Sequence, residues 1–487
     1  MAFAKEERRM INRQLDEKAT AWLAAHREKI LEMWMDLVRI PSVQAPAEPG
    51  APFGAACAAA LERSASHLAA LGLPVVHRRA DGYAFADVGE GAQCVGLFGH
   101  SDVVPVGEGW LYTKPFEPIV RDGRLIGRGA SDNKSGIMAS WCVAAMLKAL
   151  DVPLRNRLRV FVGSNEESGM KDIEAYVKHE EMPAVSLVPD SSYPCGLGEK
   201  GILRMWVKCE IPFAAVRSME GGDAFNIVLD QLDAVLEPND ALAAELRERC
   251  AGDGRYSVEI AADSSILLQS RGVAKHAASP EDSVNATWLM ATLLSSCEAL
   301  PQSDRQILSV VADYLQDPHG KALGIAHEDE IFGHLTAANG MVALEEGYLK
   351  LSLDVRYGTS LAPEVLEEGL CRAWQEKGFA VSYLENRGGY VADPTSPVPG
   401  VLKAVVEELA GKEMNCYRMR GGTYGRYLKN AFPVGTALFH ADRQPIPAMP
   451  AGHGGAHQRD EAADIEGFFL GVRVLLQCVL AVDGLLD

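Results

Sequence analysis

The stretch Cys94-Val95-Gly96-Leu97-Phe98-Gly99-His100-Ser101-Asp102 limits what this chain can fold into more than any other. A short apolar run of the kind that forms a buried strand stops at a histidine and, two positions on, an aspartate. In extended backbone, residues i and i+2 project from the same face, so His100 and Asp102 point together off the strand end. Imidazole is a good zinc ligand, and a carboxylate on the other ring nitrogen fixes its tautomer and aim. Alone, the pair is no more than a histidine and an acid opening a loop. The pattern recurs, however. Residues 158–164 read as a strand running into Asn165-Glu166-Glu167, and residues 184–189 read as another that stops at Asp190. Between the first two, Gly127-Arg128-Gly129-Ala130-Ser131-Asp132 sets Asp132 among glycines that permit tight turns, ahead of a helix expected over 137–150. Three successive strands ending in acidic or ligating residues, with helices between them, predict an α/β sheet with its site outside the strands' carboxyl ends.

With 487 residues the chain is too long for one core, and two domains are expected. A hydrophobic share of 48% describes a globular protein, and a formal charge of −19 excludes nucleic acid and an anionic membrane as expected partners. The opening residues Met1-Ala2-Phe3-Ala4-Lys5-Glu6 lack the apolar core of a signal peptide, and no later run is read as long enough to span a bilayer. A cytoplasmic location is therefore expected. The ten cysteines are scattered without a C-x-x-C pair, which reads as reduced thiols rather than disulfides or a cysteine zinc site.

Helical spacing predicts helices over 15–38, where Pro41 bars continuation, and over 55–71. Beyond Glu199-Lys200-Gly201 the character changes. Strands are expected over 203–209, 255–260 and 265–269, and a helix broken near Pro238 over 224–249. Ser279-Pro280-Glu281-Asp282 reads as the start of a helix reaching residue 300. Residues 349–356 alternate as a half-buried strand should, followed by a helix over 363–377. This middle portion reads as an α+β module inserted into the first domain.

Carboxylates converging beside a histidine repel one another unless positive charge lies between them. Two divalent cations, roughly 3.5–4 Å apart in co-catalytic sites, supply it. Each takes about four ligands, and His100, Asp132, Glu167, Asp190 and one further histidine satisfy both if one carboxylate bridges. Glu166 and Glu167 cannot both point the same way from one backbone, so one can bind metal while the other takes a proton. The further histidine comes from His453-Gly454-Gly455-Ala456-His457-Gln458-Arg459-Asp460-Glu461, which offers His453 and His457. Pro450 and the two glycines argue against a helix there.

These motifs resemble the di-zinc metallopeptidase family that contains aminoacylases, carboxypeptidase G, succinyl-diaminopimelate desuccinylase and dipeptidases. The resemblance rests on Gly99-His100-Ser101-Asp102-Val103-Val104-Pro105, Trp110 with Pro115-Phe116, Gly127 to Lys134, Asn165-Glu166-Glu167, Asp190, and His457 to Glu461. Within it, Gly221 to Asn226, Gly272 to Pro280 and Gly421-Gly422-Thr423-Tyr424-Gly425-Arg426 are most similar to bacterial dipeptidases of the PepV type. Two departures stand out: Leu229 replaces a usual proline, and Ser135 precedes the glycine that usually follows the lysine.

The resemblance implies an α/β fold with a di-zinc exopeptidase-like catalytic domain of mixed sheet and helices (1–202 and 389–487) and an inserted α+β lid (203–388). It implies that Asp132 bridges two metals, His100 and Asp190 completing one site and Glu167 and His457 the other. Glu166 would be the general base, and Asp102 would orient His100. Asn226, His276, Arg356 and Arg426 would meet the substrate, His276 donating to the developing oxyanion. The implied reaction is metal-dependent hydrolysis of dipeptides. The alternatives are an N-acyl amino acid deacylase on the same site and a non-catalytic binding member. Zinc is the expected metal, with manganese or cobalt as substitutes, and a monomer is expected over a dimer.

Overall fold

The computed structural model describes residues 11–443, 446–450 and 452–486. Its backbone divides into two compact units. One comprises Met1–Gly198, Ala392–Tyr417 and Thr423–Asp487, and the other Glu199–Val391 with Arg418–Gly422.

The first unit is built on a sheet with strands in the spatial order Val75–Arg78, Tyr83–Val88, Arg157–Gly163, Cys94–His100, Val185–Ser191 and Ala431–Gly435. The inner strands run parallel: Cys94–His100 pairs with Arg157–Gly163 on one side and Val185–Ser191 on the other. Every residue of Cys94–His100 is buried, which is why it reads as an unbroken apolar run rather than an alternating one. Parallel direction also sends the three ligand-bearing strands out at the same edge. The Lys134–Ala149 helix is buried through its first 14 residues, from Lys134 to Leu147. The Arg13–Val38 helix starts at Asn12, whose side chain accepts from Leu15 N at 3.1 Å, and buries one stripe including Leu23, Ile30, Trp34 and Leu37.

The Ile465–Asp483 helix corrects one expectation. Among the described residues it is long and apolar enough to cross a membrane by length and composition, with a mean hydropathy of 1.9. Yet 72% of that apolar window is buried inside the protein, in the same core cluster as Trp34, Ile137 and Trp141. Its composition reflects a core position.

In the second unit, a larger sheet is organised around Tyr348–Tyr357, which pairs antiparallel with Gly201–Cys209 and with Val342–Glu345. Gly201–Cys209 alternates buried and half-buried residues along its whole length. Tyr348–Tyr357 departs from the expected alternation, because Ser352, Asp354 and Arg356 are buried on its other face. Each has a polar partner there: Ser352 Oγ accepts Met341 N at 2.8 Å, and Asp354 holds Arg204 and Arg356.

Two helix expectations fail in this unit. Residues 231–236 form a strand, and only Asp240–Arg249 of the 224–249 segment is helical. Leu232, Ala234 and Leu236 point inward at period two, and the strand is laddered on both edges, which outweighs helical spacing. The helix expected from about Asp282, announced by Ser279-Pro280, begins instead at Ala286, capped by Asn285, which accepts Thr287 N at 2.7 Å. Before it, Asp282 is left-handed (φ 62°) and Val284 bridges to Val273. A further helix, Gln302–Leu315, follows Pro301 and buries Ile307, Leu308, Val311 and Tyr314.

Candidate metal centre

Five side chains of the first unit converge in two groups that share one carboxylate. His100, Asp132 and Asp190 form one group; Asp132, Glu167 and His457 form the other, each with its ligand atoms within 4.8 Å of one another. His100 Nε2 lies 3.2 Å from Asp132 Oδ1 and 3.7 Å from Asp190 Oδ2. His457 Nε2 lies 3.1 Å from Asp132 Oδ2 and 3.2 Å from Glu167 Oε2. The two oxygens of Asp132 thus face different histidines. Glu166 stands apart from both groups, with Oε2 at 4.0 Å from His100 Nε2.

His453 goes elsewhere: its Nδ1 is 2.5 Å from Asp460 Oδ2. The 452–460 segment is a run of turns, with His457 left-handed at φ 64° and Asp460 at φ 50°. That conformation is costly for residues other than glycine and here aims the His457 ring at Asp132 and Glu167.

The electrostatics of the cluster fit cation binding. Burial, reinforced by neighbouring carboxylates, pushes Glu166 and Asp190 well above the usual carboxylate range and raises Glu167 as well. Burial also works against ionised Asp132, but the His100 and His457 imidazoles beside its two oxygens hold its pKa far below that range. Burial would lower the imidazoles, yet Asp102 and Asp132 raise His100 well above its ordinary value, and Glu167 with Asp132 lifts His457 to about 11. The buried atoms His100 Nε2, Glu166 Oε1 and Glu167 Oε1 make no hydrogen bond. Carboxylate and imidazole donors without cysteine, one carboxylate facing both histidines, fit two divalent ions.

Asp102 is placed differently from the simplest expectation. His100 Nδ1 lies 3.0 Å from the Asp102 backbone carbonyl and 3.4 Å from its carboxylate. The carboxylate accepts Glu166 N and Glu167 N, both at 3.0 Å. Asp102 therefore fixes the turn carrying the glutamate pair as well as the histidine.

Several supporting residues escaped the sequence reading. Asn133 Nδ2 donates to Asp190 Oδ1 and to Pro189 O, both at 2.7 Å, and its Oδ1 accepts His100 N at 3.3 Å. Gly99 makes room for it, since a Cβ there would stand 2.7 Å from Asn133 Oδ1. Asp172 Oδ2 accepts Ser164 N, Asn165 N and Tyr424 Oη at 2.7, 2.8 and 2.5 Å, bracing the turn before Glu166. The Tyr424 ring stands edge-on to His100, with centroids 6.3 Å apart. A hydrophilic residue nine positions after a strand end carries no local signal of such a role. A cavity of about 650 Å³ in the first unit, lined by residues such as Thr20, Glu408 and Arg473, contains none of the cluster.

The remaining expected residues lie outside the cluster. In the second unit, Ile227 bridges to His276 and Ala277 N donates to Asn226 O at 2.8 Å, so Asn226 and His276 sit on paired segments. Arg356 is buried, with Nε 2.5 Å from Asp354 Oδ1 and Nη2 3.0 Å from Asp354 Oδ2, and its Nη1 reaches Arg420 O at 3.5 Å. Arg420, not anticipated, donates to Ser279 Oγ at 2.6 Å. Arg426 belongs to the first unit, half-buried on the 3₁₀ turn Tyr424–Tyr427.

Comparison with known proteins shows the family of the chain. The profile of peptidase family M20/M25/M40 matches residues 96–481. The chain is 29% identical over 469 residues to "Putative dipeptidase YtjP" of Bacillus subtilis (strain 168), covering 93% of this chain and 97% of that relative. It is 26% identical over 408 residues to a Staphylococcus epidermidis protein with the same dipeptidase description, covering 81% and 84%. Among solved structures, human carnosine dipeptidase 1 superposes with a TM-score of 0.61 at 16% identity, covering 96% of this chain and 99% of that one. The dipeptidase Dug1p of Saccharomyces cerevisiae gives 0.58 at 12% identity, covering 96% and 98%. These two show a shared fold. Since the family profile spans most of its length, the chain belongs to peptidase family M20/M25/M40, and it is a hydrolase acting on peptide bonds.

Proposed function

We propose that this chain hydrolyses the peptide bond of dipeptides at a centre of two divalent metal ions that share Asp132. The observation that carries the reading is the pair of ligand groups meeting at that carboxylate, with Glu166 beside them and outside both. His100 and Asp190 would hold one ion, and Glu167 and His457 the other. When bound, such ions polarise a carbonyl and lower the pKa of water, which is the Lewis-acid part of the chemistry. Zinc fits the nitrogen and oxygen donors, and manganese or cobalt can take the same ligands.

The chain's own residues supply the proton handling. Glu166 takes a proton from the attacking water and returns it to the leaving amine nitrogen. Its raised affinity for a proton suits a group that must accept one and then release it. Asp102 holds the glutamate pair through the two backbone amides, so the base stays aimed while Glu167 serves as ligand.

The second unit is assigned substrate reading. Asn226 and His276 present polar groups from paired segments, and His276 is the donor proposed for the oxyanion. Asp354 fixes one edge of the Arg356 guanidinium, leaving Nη1 with a single long contact. A guanidinium so oriented can bind the substrate's α-carboxylate. The dipeptidase descriptions of the relatives support this substrate class.

The test compares kcat/KM for a dipeptide, its C-terminal amide and an N-acetyl amino acid, with zinc, manganese or cobalt added. The reading expects the dipeptide to lead, and the amide to fall by at least about 30-fold, the equivalent of ~2 kcal/mol for an unpaired buried charge. A lead for the N-acetyl amino acid would make the chain a deacylase on the same metals. Absence of turnover on all three would make it a binding member.

A further inference from the structure

Beyond the metal centre, two cysteines of the first unit meet. Cys195 Sγ lies 3.5 Å from Cys416 Sγ, and the backbones are joined by a hydrogen bond from Tyr417 N to Cys195 O at 3.1 Å. All ten cysteines are free thiols. We propose that Cys195 and Cys416 are a modification site at which a peroxide closes a disulfide and a dithiol reopens it.

Geometry and chemistry assign the two sulfurs different parts. Cys195 is fully buried and donates its S–H to Cys416, which is only half-buried and can be reached by a small oxidant. That hydrogen bond, with the Lys403 ammonium nearby, lowers the Cys416 thiol to about 7 despite burial, while burial lifts Cys57, Cys142 and Cys297 to about 12. The thiolate is the nucleophile, so Cys416 reacts first. Its sulfur attacks one peroxide oxygen; the O–O bond breaks, a sulfenic acid forms, and the other oxygen leaves as water with one proton. Cys195 then attacks the sulfenic sulfur; the S–O bond breaks, the S–S bond forms, and hydroxide leaves as a second water with the Cys195 proton. Two thiols lose two electrons, and one peroxide gains them. The sulfurs need to approach by about 1.5 Å to reach bonding distance, which takes side-chain rotation and a small displacement of the Cys416 backbone.

The bond would also act on the ligand strand. Tyr417, next to Cys416, donates its hydroxyl to Ser191 Oγ at 2.7 Å and accepts Ser192 N at 2.9 Å. Those serines directly follow Asp190. Drawing Cys416 toward Cys195 shifts this anchor, so oxidation loosens the ion held through Asp190. This consequence rests on the proposed ligand role of Asp190; the disulfide itself does not.

The test treats the metal-loaded protein with hydrogen peroxide, then maps its peptides without reductant and measures bound metal. A Cys195–Cys416 cross-linked peptide, lighter by two hydrogens and cleaved by dithiothreitol, is expected. Cys416→Ser should give no cross-link, and Cys195→Ala should leave a dimedone-reactive sulfenic acid on Cys416. Bound metal should fall on oxidation of the wild type and stay constant in Cys416→Ser. A cross-link between other cysteines, or Cys416 left unoxidised while other thiols react, overturns the site. A cross-link with metal content unchanged overturns only the coupling to Asp190.

Discussion

Arg128 Nη1 lies 2.7 Å from Glu461 Oε2, and both side chains are 1% exposed. This buried pair binds three separate stretches of chain together. Glu461 Oε1 accepts Ser131 N and Asp132 N at 2.9 and 2.8 Å, and its Oε2 accepts Gly129 N at 3.1 Å. Arg128 Nη2 donates to His457 O and to Pro105 O, both at 3.3 Å. The carboxylate shared by both ligand groups and the histidine that faces it are thus set by one ion pair.

Removing either partner leaves a buried charge unpaired, at a cost of about 3–5 kcal/mol. Arg128→Ala and Glu461→Ala should each lower the unfolding free energy in urea by that amount, and the double variant by much less than the sum. Losses below about 1 kcal/mol would mean that the backbone amides alone hold the loop.

Glu166→Gln should lower kcat by about 10²–10⁴-fold, the usual worth of a positioned base, with bound metal unchanged. Glu167→Gln should lose metal together with activity. Metal analysis beside kinetics checks both, and loss of metal from the Glu166 variant would reverse the two roles.

Asn133→Ala removes the side chain that joins the His100 strand to Asp190. Second-sphere partners of this kind are worth about 10–100-fold in metal affinity. Calorimetric titration of the metal-free protein should show one of two binding events weakened by that factor. Equal weakening of both would indicate a change in fold.

Asp172 gives a pH dependence of stability. Burial, then the Asp102 charge, raises its carboxyl from 3.8 to about 6. A folded pKa above the unfolded one means that the contribution is full below about pH 4 and is lost as pH rises through about 6. A shift of about 2 units corresponds to ~3 kcal/mol. Relative to Asp172→Asn, the wild type should therefore lose ~3 kcal/mol of unfolding free energy between about pH 4 and pH 7. A pH-independent difference would show that Asp172 is ionised throughout.

What could be read from the sequence was local. Strand ends at His100, Glu167 and Asp190 carry their acids within a few residues of an apolar run, and parallel pairing brings them to one edge. Glu461 and Asp132 are linked across 329 positions, and Tyr424 and Asp172 across 252, so no window of sequence contains either relation. In the second unit the error was one of period. Residues 231–236 also fit a helical stripe, and only the ladders on both edges decide for a strand. Ser279-Pro280 has the residues of a helix start, yet Asn285 caps the helix because Val284 is held by Val273. Local chemistry proposed both sites, and long-range pairing chose between them.

Hydrolysis of a dipeptide during metal reconstitution tests the central claim most directly. The protein is stripped with a chelator, titrated with zinc, and assayed at each measured metal content. Turnover should be absent without metal and reach its plateau at two ions per chain, and Asp132→Ala should bind neither ion tightly. Full turnover in the stripped protein, or a metal-saturated protein that leaves every dipeptide intact, would contradict it.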